Sequence, residues 1–199
     1  VAVGLDRLTE GGALERDARV ETDVEGPRTV VADLAGAEAP DLVLVNDDDL
    51  TYCKIRFDAA SLDTLREHLG GLTDPLARAL CWSALWNMTR DALLPARDFI
   101  ALVLRFASRE SDIGVLQMLH AWTHAARDRY AAPDWRETGG ALLAEGALRQ
   151  LRAAGAGSEH QLAWARFFAS TASAEPDLAL LKDLLDGTTS IEGLEVDQE

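Results

Sequence analysis

The sequence predicts a mainly α-helical protein with a small N-terminal β part: an incomplete antiparallel β-sandwich followed by a HEAT-like array of antiparallel helix pairs. Up to residue 57, short apolar or alternating runs stand between Gly and Pro turns, which is typical of strands. From residue 58, apolar residues recur at helical spacing behind capping residues. We therefore expect two domains, a partial β-sandwich over residues 1–57 and a helical C-terminal domain over residues 58–199.

Five short segments carry the strand pattern, namely residues 1–5, 20–24, 29–31, 42–45 and 51–57. The run over residues 42–45 has no polar alternation, which predicts a strand that is covered on both faces. In residues 51–57, Cys53, Ile55 and Phe57 are expected to face inward. An independent sandwich has roughly seven strands. We therefore expect the chain to begin inside a domain.

Seven helices are predicted after residue 57, each from a cap or a proline. They begin at Asp58, Asp74 or Thr73, Pro95, Ser111, Pro133, Ser158 and Pro176, and Gly70-Gly71, Gly155 and Gly187 end the first, fifth and seventh. Ser158 and Gln161 form a capping-box pattern. The second helix is apolar nearly all round, so it should be buried between other helices.

The charge is 19 basic minus 34 acidic residues, or −15. This charge repels nucleic acids and anionic membranes, so neither is an expected partner. No apolar run approaches the roughly twenty residues of a membrane helix, and cytoplasmic localisation is expected. The two cysteines, Cys53 and Cys81, stand among apolar residues and are expected to be buried free thiols.

His120 and His124 lie four residues apart, which is the spacing of the zinc-peptidase helix. In that motif the residue after the first His is the general base, and here it is Ala121. A capped or solvated histidine pair is therefore favoured over a metal site, and whether the pair has any role stays open.

The acidic run Asn46-Asp47-Asp48-Asp49 invites a calcium site. An EF-type loop from Asn46 requires a ligand at 50, Gly at 51 and Glu at 57, where the chain has Leu50, Thr51 and Phe57. We therefore favour a turn whose side chains bind backbone amides and which joins two strands. Metal storage through this loop is a weaker alternative.

Residues 44–58 (LVNDDDLTYCKIRFD) resemble the junction that leads into the C-terminal helical domain of aminopeptidase N-type zinc metallopeptidases. Four further blocks are similar to the actinobacterial branch of that alanyl aminopeptidase family: residues 76–82 (LARALCW), 86–91 (WNMTRD), 160–166 (HQLAWAR) and 193–198 (GLEVDQ). The resemblance implies a C-terminal fragment, with the end of the small β-sandwich and the start of the helical domain, truncated at Glu199.

Family members bind zinc through an H-E-x-x-H helix and hold the substrate's amine with a G-x-M-E-N segment, and neither motif occurs here. The resemblance therefore implies no catalytic and no metal residue in this chain, leaves substrate-binding residues unknown, and assigns zinc to the parent enzyme. The segment would wall and gate the active-site chamber, with the remaining domains of the polypeptide and peptide substrates as partners. The alternative is a free-standing helical-array module that binds a peptide or protein. Uncovered strand faces also predict self-association of the isolated chain.

Overall fold

Three strands form one antiparallel sheet near the N-terminus of the computed structural model, which describes residues 1–195. They are β1 (Ala2–Leu8), β2 (Leu14–Glu21) and β3 (Leu42–Val45), in the order β2-β1-β3. Val3 pairs with Val20 on one side and with Val45 on the other, and the β1–β2 register shifts between Leu5 and Asp6. The chain divides into two units, Val1–Leu94 and the part from Pro95 onward, which are described separately.

The prediction of five strands is wrong, because two of the segments do not pair within the described residues. At residues 29–31, the Thr29 hydroxyl accepts from the Glu25 backbone N–H and donates to the Glu25 carbonyl, which closes a turn and leaves Val30 74% exposed. Residues 51–57 carry an alternating pattern but lie outside any strand. Strand propensity is expressed only where a partner strand and a buried face are available.

Two further strand predictions need correction in detail. The second strand is β2, which begins at Leu14 and ends at Glu21, so Val24 lies outside it and is exposed. In β3, Leu42 and Leu44 are buried while Val43 and Val45 are half-buried, so its two faces are not covered alike. The first strand is confirmed and continues to Leu8, beyond its predicted end at residue 5.

The described residues form seven α-helices. They are α1 (Ala59–His68), α2 (Pro75–Arg90), α3 (Ala96–Phe106), α4 (Ile113–Ala125), α5 (Arg136–Ala153), α6 (Glu159–Thr171) and α7 (Glu175–Leu185). Asp58, Asp74 and Ser158 accept backbone N–H groups at the starts of α1, α2 and α6, as predicted. Asp112, not Ser111, caps α4, since its carboxylate accepts from the Val115 N–H.

The sequence predicts that the fourth helix continues to about Tyr130, but its last five residues are not regular α-helix. After Ala125 the chain makes one π-helical turn over Ala126–Tyr130, and a short 3-10 turn at Pro133–Trp135 precedes α5. Such π-helical turns occur within or at the ends of α-helices. The fifth helix therefore begins at Arg136, three residues after the predicted start at Pro133.

In the N-terminal unit, helix α2 is buried along one side only. Cys81, Trp82 and Leu85 are buried, whereas Leu76 is exposed and Leu80 is half-buried. The prediction that α2 is covered on all sides is therefore wrong within this unit. Arg78 of this helix is buried and donates to the Leu72 carbonyl at 2.5 Å.

In the unit from Pro95, α5 packs against α6, α6 against α4, and α3 against α4 and α5. The core of this unit is mostly apolar, and its members include Phe99, Ile100, Leu116, Leu119, Leu143, Trp164 and Phe168. Helix α3 buries Phe99, Leu102, Val103 and Phe106 along one face. On α6, Phe168 is buried and Leu162 is exposed.

Candidate functional site

The acidic turn that follows β3 is closed by the side chain of Asn46. Asn46 has a left-handed backbone with φ of 61°. Its Nδ2 donates to the Thr51 carbonyl at 2.7 Å and to Asp49 Oδ1 at 3.0 Å, and its Oδ1 accepts from the Thr51 N–H at 3.0 Å. The prediction that side chains of this turn bind backbone groups is confirmed. Asn46 thus binds both backbone groups of Thr51, and the strand predicted over residues 51–57 does not form.

A buried acid pair lies beneath this turn. Asp47 is buried, and its Oδ1 is 2.8 Å from Arg16 Nη2, which also lies 3.2 Å from Asp48. Asp47 Oδ2 has no hydrogen-bond partner among the described residues. Gly4 makes room for it, since a Cβ at this position would lie 2.5 Å from that oxygen.

The second member of the pair is Asp6, which is also buried. Burial, and then the neighbouring Asp47 carboxylate, raise the pKa of Asp6 to about 6. Burial also raises the pKa of Asp47, and Arg16 opposes that change. The sequence prediction missed Asp6 because it ended the strand at Leu5. Had the predicted strand been longer, an acidic residue within an apolar strand would have marked this position as a candidate buried acid.

The segment after the turn is held by the end of α2. Asp91 lies 2.6 Å from Lys54 Nζ and 3.3 Å from Arg56 Nη2. Hydrogen bonding to Lys54 lowers the pKa of Asp91. Ile55 and Phe57 are buried as expected, but Cys53 is exposed, so the prediction of a buried thiol is wrong for Cys53 and confirmed for Cys81.

An open groove of about 600 Å³ lies between this segment and the uncovered side of α2. Its polar lining residues are Asn46, Asp49, Thr51, Lys54, Ser83, Asn87 and Arg90. Cys53 is the thiol in this lining, and no histidine accompanies it. The groove therefore offers hydrogen bonds and contact area.

His120 lies in an aromatic cluster between α4 and α6. Its ring stacks on Phe167 with 4.1 Å between centroids and meets Trp164 edge-on at 4.5 Å. Nε2 has no hydrogen-bond partner among the described residues. Burial lowers the pKa of His120 to about 3, so the ring is neutral at pH 7. The expectation of a capped or solvated pair is therefore wrong for His120.

His124 is half-buried, and its Nε2 lies 2.9 Å from the Ser170 hydroxyl. Burial and Arg127 lower its pKa, and Asp128 partly opposes this. Both imidazoles contact Phe167 of α6, and His124 also lies within hydrogen-bond distance of Ser170.

The described residues do not fit a zinc site. Among residues 1–195, no group of three or more His, Cys, Asp or Glu side chains is placed to hold a metal ion. The carboxylates of Asp47 and Asp48 face Arg16 and Arg19, and the His120 ring lies against aromatic rings. Within the same residues, no helix is both long and apolar enough to cross a bilayer.

The fold and these clusters define a mostly helical segment with structural hydrogen-bond networks and an open groove. The model of the ERAP1-like C-terminal domain family matches residues 42–199, which is most of the chain. The chain therefore belongs to the ERAP1-like C-terminal domain family.

Two proteins of Streptomyces lividans are similar to the chain. Over all 199 residues it is 53% identical to aminopeptidase N, and it spans 23% of that relative's length. A stretch of 37 residues, 19% of the chain, is 78% identical to aminopeptidase G and spans 51% of that relative. The predicted resemblance to the aminopeptidase N family is confirmed. Of the block 193–198 that contributed to it, residues 196–198 lie outside the described part, as does Glu199.

Proposed function

We propose that this chain is a non-catalytic segment of a zinc-dependent aminopeptidase that removes N-terminal residues from peptides. The observation that carries the proposal is the 53% identity to aminopeptidase N along the entire chain, which spans 23% of that relative. The zinc and the catalytic groups then belong to other parts of the polypeptide, because the described residues hold no cluster of metal ligands. The enzyme acts in the cytoplasm.

In this proposal residues 1–57 complete a small β-sandwich and residues 58–199 belong to a helical domain of HEAT-like helix pairs. The helical domain walls the active-site chamber and admits short peptides while it excludes folded chains and bulk water. Its partners are the remaining domains of the same polypeptide. The extended interfaces that stacked helix pairs present suit such a wall.

The test of the catalytic assignment is an assay of the 199-residue chain on aminoacyl-anilide substrates with added zinc. No turnover is expected, since no metal ligand set is present in its described residues. Saturable turnover that a chelator abolishes would overturn this assignment. The intact parent enzyme, assayed in parallel, is the positive control.

Gating has a separate test in the intact parent enzyme. Its kcat/KM is measured on peptides of increasing length with one shared N-terminal residue, and on a folded protein that carries the same N-terminus. A chamber wall predicts that activity falls with size and is lost for the folded protein. Equal activity on the short peptide and the folded protein would contradict gating and leave the catalytic assignment intact.

A further inference from the structure

A second groove, of about 360 Å³, lies between α3 and α5. We call it the arginine groove and define it by the cationic residues Arg97, Arg105 and Arg149 and the apolar residues Leu104, Trp135 and Leu142. Ile100 and Ala101 complete its lining, which contains no Asp or Glu. The chain has 34 acidic and 19 basic residues and is negative overall, whereas the charged residues that line this groove are all positive.

Close packing fixes the floor of the arginine groove. The Trp135 ring lies against Gly139, where a Cβ would overlap the indole, and Leu104 lies similarly against Gly146. The Arg97 guanidinium stands over the Trp135 ring, 5.2 Å from its centroid. A cation over an indole face is attracted by the ring's negative charge density, so this contact orients Arg97. Trp135 and Leu104 thus form a shaped apolar surface beneath a positioned cation.

Two of the guanidinium groups, those of Arg97 and Arg149, remain largely available to pair with an anion. Arg97 has no carboxylate within ion-pair distance in the described part of the chain, and its recorded contact is with Trp135. Arg149 reaches Glu145 only at 3.9 Å, and both of these side chains are well exposed. Such a pair contributes little, since solvent screens it. The planar guanidinium matches a carboxylate with two parallel N–H donors.

We infer that the arginine groove binds an acidic polypeptide segment in which an aliphatic side chain stands between carboxylates. The aliphatic group lies against Leu104 and Leu142, the second of which is 43% exposed, while the carboxylates pair with Arg97 and Arg149. A nucleic acid fits less well, because its continuous charge is repelled by a chain of −15. A short acidic segment interacts mainly with the local cations, since salt screens charges beyond about 8 Å at physiological ionic strength.

The test measures binding of a fluorescein-labelled peptide, Gly-Asp-Glu-Leu-Glu-Asp-Gly, to the full chain by fluorescence anisotropy. Saturable binding that weakens as salt rises is expected. The double variant Arg97→Glu with Arg149→Glu should raise Kd by about tenfold or more, because repulsion replaces both ion pairs. Leu142→Ser should weaken binding more modestly.

The matched control is Arg129→Glu with Arg166→Glu, which makes the same change in net charge at two exposed arginines outside the groove. The control should bind as the natural chain does, and circular dichroism should show both variants folded. Equal weakening by the control pair, equal binding of Gly-Asn-Gln-Leu-Gln-Asn-Gly, or no binding at millimolar peptide would each overturn the inference. Tighter binding of an oligothymidylate at the same arginines would overturn it as well.

Discussion

His120 lies in the core, where protonation of its ring is unfavourable. Its ring is stacked on Phe167 and its Nε2 has no partner in the described part of the chain. His124, with Arg127 and Asp128 beside it, is the titratable neighbour on the same helix, and its positive form would repel a second charge. No charged side chain is recorded against His120 from α6, where its neighbours are Trp164 and Phe167.

The pKa of His120 falls from 6.5 in the unfolded chain to about 3 in the folded chain. As the pH is lowered, the unfolded state therefore binds the proton at a higher pH than the folded state does. The stability that neutral His120 contributes to the folded chain is fully present above pH 6.5. It is lost as pH falls from 6.5 toward 3, at up to about 1.4 kcal/mol per pH unit.

We predict that His120→Phe removes most of this acid sensitivity. Between pH 6.5 and pH 5 the natural chain should lose up to about 2 kcal/mol more unfolding free energy than the variant. Urea unfolding followed by circular dichroism at several pH values measures the difference. His68→Gln, at a less buried histidine, is the control and should keep the natural slope. Parallel pH profiles for His120→Phe and the natural chain would contradict the assigned pKa direction.

At the scale of elements, α1 is joined to the sheet through its capping residue. Asp58 accepts from the Ser61 N–H at 3.0 Å and from the Ser61 hydroxyl at 2.6 Å. The same hydroxyl accepts from the Val43 N–H of β3 at 3.0 Å. Hydrogen bonding to Ser61 lowers the pKa of Asp58. The cap thus orients a hydroxyl that satisfies a strand N–H.

This network predicts that Asp58→Ala destabilises the chain by more than an ordinary cap loss. A lost cap costs typically about 1 kcal/mol, and the freed hydroxyl should add about another. Asp112→Ala is the matched control, since Asp112 caps α4 through the Val115 N–H and its recorded partners include no strand. Chemical denaturation of both variants gives the comparison. Equal losses would show that the Ser61 link contributes nothing.

The helix caps and the strands differ in how far the sequence determines them. Asp58, Asp74 and Ser158 bind N–H groups two or three residues ahead, so a short window of sequence contains the whole interaction. A strand needs a partner distant in sequence, as in the pairing of Val3 with Val45. The segment 51–57 has the strand pattern but is anchored by Asn46 and Asp91 instead. Local patterns cannot reveal that competition.

At the scale of the whole molecule, the family could be predicted because several separated sequence blocks carry it, and residues 42–199 match its model. The arginine groove could not be predicted. Arg97, Trp135 and Arg149 are widely separated along the chain, and only the packing of α3 against α5 brings them together. The buried pair of Asp6 and Asp47 escaped prediction for the same reason, since it depends on the pairing of β1 with β3.

The isolated chain should associate with itself, because part of its apolar surface lies open. Leu50, Tyr52 and Leu76 are exposed near the groove beside α2, and the backbone of residues 52–57 makes no recorded ladder hydrogen bonds. Unpaired extended backbone beside apolar side chains is a surface to which another chain can add. A charge of −15 opposes contact between copies at low salt. Association should therefore strengthen as salt screens that repulsion.

Sedimentation velocity over a wide range of protein concentration, at low and at high salt, measures this association. The weight-average sedimentation coefficient should rise with concentration, and more steeply at high salt. The variant Leu50→Asp with Tyr52→Asp should remain monomeric, whereas Asp23→Asn, at an exposed carboxylate elsewhere in the same unit, should behave as the natural chain. A natural chain that stays monomeric at every protein and salt concentration would show that this surface does not mediate self-association. Association that the Asp variant retains would place the contact elsewhere.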